Sequence, residues 1–189
     1  MNARQVAVAV TACWCLVSVA WLCADEKDKD EKKEHDTARA VLAKAKIDLP
    51  KAISVAQAKV PKGKPIYAST EQEGGKLLFE VYLLVDGKVT EVEVDAVSGQ
   101  VVKTEEGEDD EVENLDDAKK IVGNAKITFP QAIEAAMKKV EGGKAFEVEF
   151  EMEDNKAIIG VELLAGNKIM EVEIDAITGK VLEVEEEKD

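Results

Sequence analysis

Sliding the 189-residue sequence along itself by 80 positions places Asp36–Glu106 on Asp116–Glu186 without a gap, about four aligned positions in ten being identical. AKIDLPKAI at Ala45–Ile53 answers AKITFPQAI at Ala125–Ile133, and EVEVDAVSGQV at Glu91–Val101 answers EVEIDAITGKV at Glu171–Val181. A gapless duplication of this length allows only folds in which one short unit is built twice. Two copies are fewer than a solenoid needs, so each is expected to fold nearly by itself.

Each copy reads as a helix followed by strands. Asp48 and Thr128 precede Pro50 and Pro130, where a proline is tolerated because the first helical amides have no internal partner. Thr128 with Gln131 also forms a capping box. Leu49, Ala52, Ile53, Ala56 and Val60, and likewise Phe129, Ala132, Ile133, Ala136 and Val140, recur at helical spacing. After Gly63 and Gly142-Gly143 the period becomes two, as in the alternation of Phe146, Val148, Phe150 and Met152 with glutamates. Gly74-Gly75, Asp154-Asn155 and Asp86-Gly87 supply turns, and Gly99 and Gly179 a further one before a short last strand. The expected fold class is α+β: two tandem units, each an amphipathic helix packed on a three- to four-stranded antiparallel meander.

The order of helix, glycine-containing loop, meander and closing Asp-Ala-x-(Ser/Thr)-Gly-x-Val turn resembles the PepSY domain, found in propeptides of thermolysin-like metallopeptidases and in bacterial envelope proteins. The resemblance spans Ile47–Thr104 and Ile127–Val184. It implies a tandem PepSY protein of bacterial type with a role in binding or inhibiting peptidases. No peptidase sequence follows the second copy here, so inhibition would act in trans.

The remaining sequence divides around these copies. Residues 1–24 have a single base, Arg4, and a mostly apolar run over 6–24, the pattern of a secretory signal peptide ending at Ala24. An uncleaved anchor is the second reading, and lipidation at Cys13 within Val10–Cys13 a third. Cys13, Cys15, Cys23, Trp14 and Trp21 all fall in this segment. The expected location is therefore exported, periplasmic or extracellular, and a membrane partner is expected only if the segment is retained. Residues 25–36 read as a charged disordered tether, 37–106 as the first repeat, 107–115 as an acidic linker held extended by self-repulsion, and 116–187 as the second repeat. The formal charge of −15 leaves no basic face for phosphate and excludes nucleic acid.

Catalytic chemistry finds little support. His35, the one histidine, lies in the expected tether, and no metallopeptidase motif, phosphate loop or zinc quartet is present. The expectation is a non-enzymatic protein with no cofactor. Asp95 with Gly99, and Asp175 with Gly179, read as structural turns, the aspartate accepting backbone amides and the glycine supplying positive φ. Glu91, Glu93 and Asp95, with Glu171, Glu173 and Asp175, form linear combs that do not converge on a cation by themselves, so no dedicated metal residues are assigned.

The apolar residues on both faces of the second strand carry the partner expectation. Leu77, Phe79, Val81, Leu83 and Val85 face the helix, while Leu78, Tyr82 and Leu84, with Ile158, Glu162 and Leu164 in the second copy, lie on the far face. A single helix layer leaves that face to water, so it is expected to be covered by the sister copy, a second chain or a client. The expected function is an exported module that docks an envelope or secreted protein or peptide, a metallopeptidase among the candidates. The alternatives are a calcium- or magnesium-binding acidic protein and a purely structural tandem.

Overall fold

The computed structural model describes residues 31–107, 112 and 114–187. The signal or anchor reading of 1–24, with all its cysteines and tryptophans, lies outside them. Among the described residues no helix is long and apolar enough to cross a membrane. The elements in chain order are α1 (residues 31–42), α2 Leu49–Lys59, β1 Lys64–Glu73, β2 Lys76–Val85, β3 Lys88–Asp95, β4 Val101–Glu106, α3 Leu115–Ile121, α4 Phe129–Met137, β5 Lys144–Glu153, β6 Lys156–Ala165, β7 Lys168–Asp175 and β8 Val181–Glu187. The fold is α+β, with the same helix and four-stranded meander built twice.

Local chemistry explains where these elements begin. Asp48 is extended and its carboxylate accepts the Lys51 amide at 2.9 Å, satisfying one of the free donors at the start of α2. At α4 the Gln131 side chain accepts the Thr128 amide at 2.8 Å. Leu49, Ala52, Ile53 and Ala56 form the buried stripe of α2, and Phe129, Ala132, Ile133 and Ala136 that of α4. The Phe129 and Phe150 rings meet at 4.6 Å, which identifies the sheet face carrying Phe150 as the one under the helices. Strand register puts Phe79, Val81, Val92 and Val94 on that face in the first repeat. Tight hairpins are closed by Asp86, Asp154 and Asn155 at positive φ, which short Asx side chains tolerate and which matches strand twist.

The eight strands form one sheet in the order β4-β3-β2-β1-β5-β6-β7-β8. The repeats join where β1 and β5 pair antiparallel, Tyr67 opposite Glu149 and Ala68 opposite Val148. Val148 is the 80-residue counterpart of Ala68, so a pseudo-two-fold axis passes between them. Both are fully buried, and the hydrophobic core runs through both repeats. The two repeats, expected as nearly self-contained domains, share this one sheet and lie in one compact unit, Glu34–Asp189. Repetition identifies the unit but is silent on which free strand edge joins which, because backbone ladders carry no sequence label.

Two expected linkers also behave differently. The described part of the 25–36 tether is helical, and His35 is 5% exposed. In the 107–115 linker, Val112 and Leu115 are buried and the Gly107 amide bonds the Val89 carbonyl at 3.1 Å, although Glu108–Glu111 and Glu113 lie outside the described residues.

At the closing turns, Asp95 Oδ1 accepts the Val97 and Ser98 amides at 3.2 and 2.6 Å, and Asp175 Oδ1 accepts those of Ile177 and Thr178 at 3.0 and 2.7 Å. Gly99 and Gly179 sit at φ 72° and 70°. Asp95→Ala and Asp175→Ala should each cost about 1–2 kcal/mol in urea denaturation, with Asp→Asn milder because the amide oxygen still accepts. The two losses should add, the turns lying at well-separated positions of the sheet.

Candidate functional site

The sheet face away from α2 and α4 gathers the buried carboxylates of the described residues, Glu91, Glu93 and Glu147. In the first repeat Glu80 lies opposite Glu93, and Tyr82 opposite Glu91. Glu80, Glu91 and Glu93 bring carboxylate oxygens within 4.8 Å of one another. Convergence thus comes from Glu80 on the neighbouring strand rather than along the comb, and Asp95 stays in its turn. Lys103 on β4 closes the group, its ammonium 3.3 Å from Glu91, 3.0 Å from Glu93 and 2.6 Å from Glu105. These bonds raise the Lys103 pKa, those to Glu105 and Glu93 contributing most. Burial, followed by repulsion from Glu71, Glu91 and Glu93, raises Glu80 to about 7.

The second repeat keeps Glu171 and Glu173 but puts Glu183 where Lys103 stood and Gly160 where Glu80 stood. Glu151 leans over the space this glycine leaves. With no lysine at that position, burial and then Glu187, Glu162, Glu173 and Glu185 raise Glu171 to about 7. Glu151 is likewise raised to about 7 by burial and its acidic neighbours. The same fold therefore carries a neutralised acidic cluster in one copy and a cation-poor one in the other.

Around the pseudo-two-fold axis the far face is closed by polar contacts. Tyr67 Oη donates to Glu147 at 3.0 Å, and the Tyr67 and Tyr82 rings lie 5.7 Å apart. Burial holds the Glu147 carboxyl well above the usual range, with Glu34 adding to it. Burial also raises the Tyr67 hydroxyl well above its ordinary value, and Glu147 and Glu34 add repulsion. Asn114, at the start of α3, donates to Glu149 at 3.1 Å. His35 on α1 stands edge-on to Phe146 at 6.0 Å, its Nε2 3.5 Å from Glu162 and 3.2 Å from Glu187.

Of the far-face residues expected to be covered by the sister copy, a second chain or a client, Leu78, Tyr82 and Ile158 are buried, at 0%, 4% and 1% exposure. Leu84, Glu162 and Leu164 are half-buried. The sheet is continuous, so the sister copy cannot stack on it. At its centre Glu34, in the first turn of α1, reaches Tyr67 on β1, and Asn114, at the start of α3, reaches Glu149 on β5, while His35 reaches Glu162 on β6 and Glu187 on β8. Glu80, Lys103, Tyr67, Glu147 and His35 were not singled out as site residues. For His35 a signal existed: the 80-residue register sets it on Leu115, and both are buried.

Residues 46–105 and 126–185 each match the family described as peptidase propeptide and YPEB domain. No curated protein matches the chain. Two solved structures are similar. One, from Clostridium difficile 630 and provisionally classed as a lipoprotein, shares 22% identity over 75% of this chain and 97% of its own, with a TM-score of 0.44. The other, the YpeB C-terminal domain of Bacillus megaterium, shares 15% identity over 77% of this chain and 68% of its own, with a TM-score of 0.30.

Proposed function

Because the chain belongs to the PepSY family, which it represents twice over, we propose that it is a non-enzymatic exported module that binds an extended segment of an envelope or secreted protein. A peptidase restrained in trans is the sharper form of this reading. The supporting observation is the pair of outer strands, β4 and β8, which pair on one side only among the described residues, in a sheet whose far face is largely buried. Val102 on β4 and Leu182 and Val184 on β8 are among the most exposed large aliphatic residues described, at 44%, 40% and 41%. An outer strand offers unpaired backbone donors and acceptors to an incoming strand. On β8 the aliphatics are interspersed with Glu183, Glu185 and Glu186, which favours a segment mixing basic and aliphatic side chains.

Inhibition of thermolysin-like peptidases and hydrogen exchange on the bound chain test this together. Binding should protect β8 amides, and Leu182→Lys with Val184→Lys should weaken inhibition about tenfold or more without lowering the melting temperature. Absence of inhibition across a panel of secreted peptidases would remove the sharper form. Absence of β8 or β4 protection with any bound protein would remove the edge.

A further inference from the structure

We propose that His35, Glu162 and Glu187 form a binding site for one divalent transition-metal ion of the zinc class. The three residues come from α1, β6 and β8 and offer ligand atoms within 4.8 Å of one another. Nε2 of His35 faces Oε2 of Glu162 at 3.5 Å and Oε2 of Glu187 at 3.2 Å. Ligands on a tetrahedral zinc ion, each about 2.0–2.1 Å from the metal, stand about 3.3 Å apart. Both separations exceed the roughly 2.7–2.9 Å of a charge-assisted hydrogen bond.

Proton counting favours a cation over an ion pair. An imidazolium has one hydrogen on Nε2 and can aim it at one oxygen, yet two carboxylates converge there. Glu162 Oε2 bears the consequence: it is buried and, among the described residues, has no hydrogen-bond partner. A divalent cation would take neutral imidazole and both carboxylates at once and cancel their two charges. Phe146 packs against the imidazole and fixes its plane, while Glu162 and Glu187, at 23% and 30% side-chain exposure, leave a mouth for metal entry and a fourth, water ligand.

The donor set selects the metal. Calcium and magnesium prefer all-oxygen shells, whereas one imidazole with two carboxylates suits zinc and its first-row neighbours. The site is distinct from the Glu80–Glu91–Glu93 cluster, where Lys103 already supplies the positive charge.

Titration of the full chain with zinc alone, and with cobalt(II) as a spectroscopic probe, should give one saturable equivalent per chain and a visible cobalt band. Calcium at the same concentration should not displace it. His35→Ala should abolish the saturable step. Glu162→Gln and Glu187→Gln, at partly exposed positions that leave folding intact by circular dichroism, should weaken it about tenfold or more. Glu80→Gln with Glu93→Gln should leave it unchanged. Weak, unsaturable zinc binding by the native chain would overturn the site, as would saturable binding that survives both carboxylate substitutions.

Discussion

Urea denaturation should be harder at pH 5 than at pH 8, by about 3 kcal/mol, or a midpoint shift of about 1–2 M. Glu80, Glu151 and Glu171 each rise from 4.5 to about 7 on folding, chiefly through burial. Between those values the folded chain holds protons that the unfolded chain has released, so stability falls as pH rises through the window and levels off above it. All three side chains are partly solvated, which reduces each contribution to about 1 kcal/mol. Glu147 acts in the same direction. Asp95 and Asp175 act in the opposite one: backbone hydrogen bonds from Ser98 and Thr178 hold them below their ordinary value, and their stabilisation is lost as pH falls through the depressed values. The optimum should therefore lie near pH 5. Glu80→Gln with Glu151→Gln should stabilise the protein at pH 8, change little at pH 5 and flatten the profile. A profile rising from pH 5 to pH 8 would contradict the burial of these carboxylates.

Val148→Asp should cost about 4 kcal/mol or more and destroy both repeats in a single transition. Val148 is 0% exposed and sits opposite Ala68 on the pseudo-two-fold axis, so the new carboxylate would be buried at the point where the sheet is continuous. Were the repeats independent beads, the second would be lost and the first retained, giving two transitions by circular dichroism. Val102→Asp, on the exposed outer strand β4, should change stability by less than about 0.5 kcal/mol. The contrast between these two substitutions measures the coupling that the shared sheet creates.

Both effects depend on features at the edge of what the sequence makes readable. The alternation of Glu91 and Glu93 with Val92 and Val94 shows that those acids share one face, but not that Glu80 joins them from β2 with an acid-rich cluster as the result. Lys103 becomes their counter-ion only once β4 pairs with β3 and sets it opposite Glu93. His35 was hidden by its surroundings: a charged run suppresses the hydropathy signal, and only its register with Leu115 marks it as an anchoring position. Leu78, Tyr82 and Ile158 signalled an apolar far face, and they are buried within the chain itself. What covers it differs from every simple stacking of sheets.

By itself the sequence determined the unit: a capped helix, hairpins closed by Gly and Asx residues, the Asp95 and Asp175 turns, and the repetition of all of these at an interval of 80. These features are local, set by backbone torsion, side-chain period and capping within a few residues. The tertiary structure alone decided that two units become one sheet, that β4 and β8 are its outer strands, and which charged groups converge across strands. Those outcomes depend on pairing between distant segments through backbone groups common to every residue, and no local pattern encodes them.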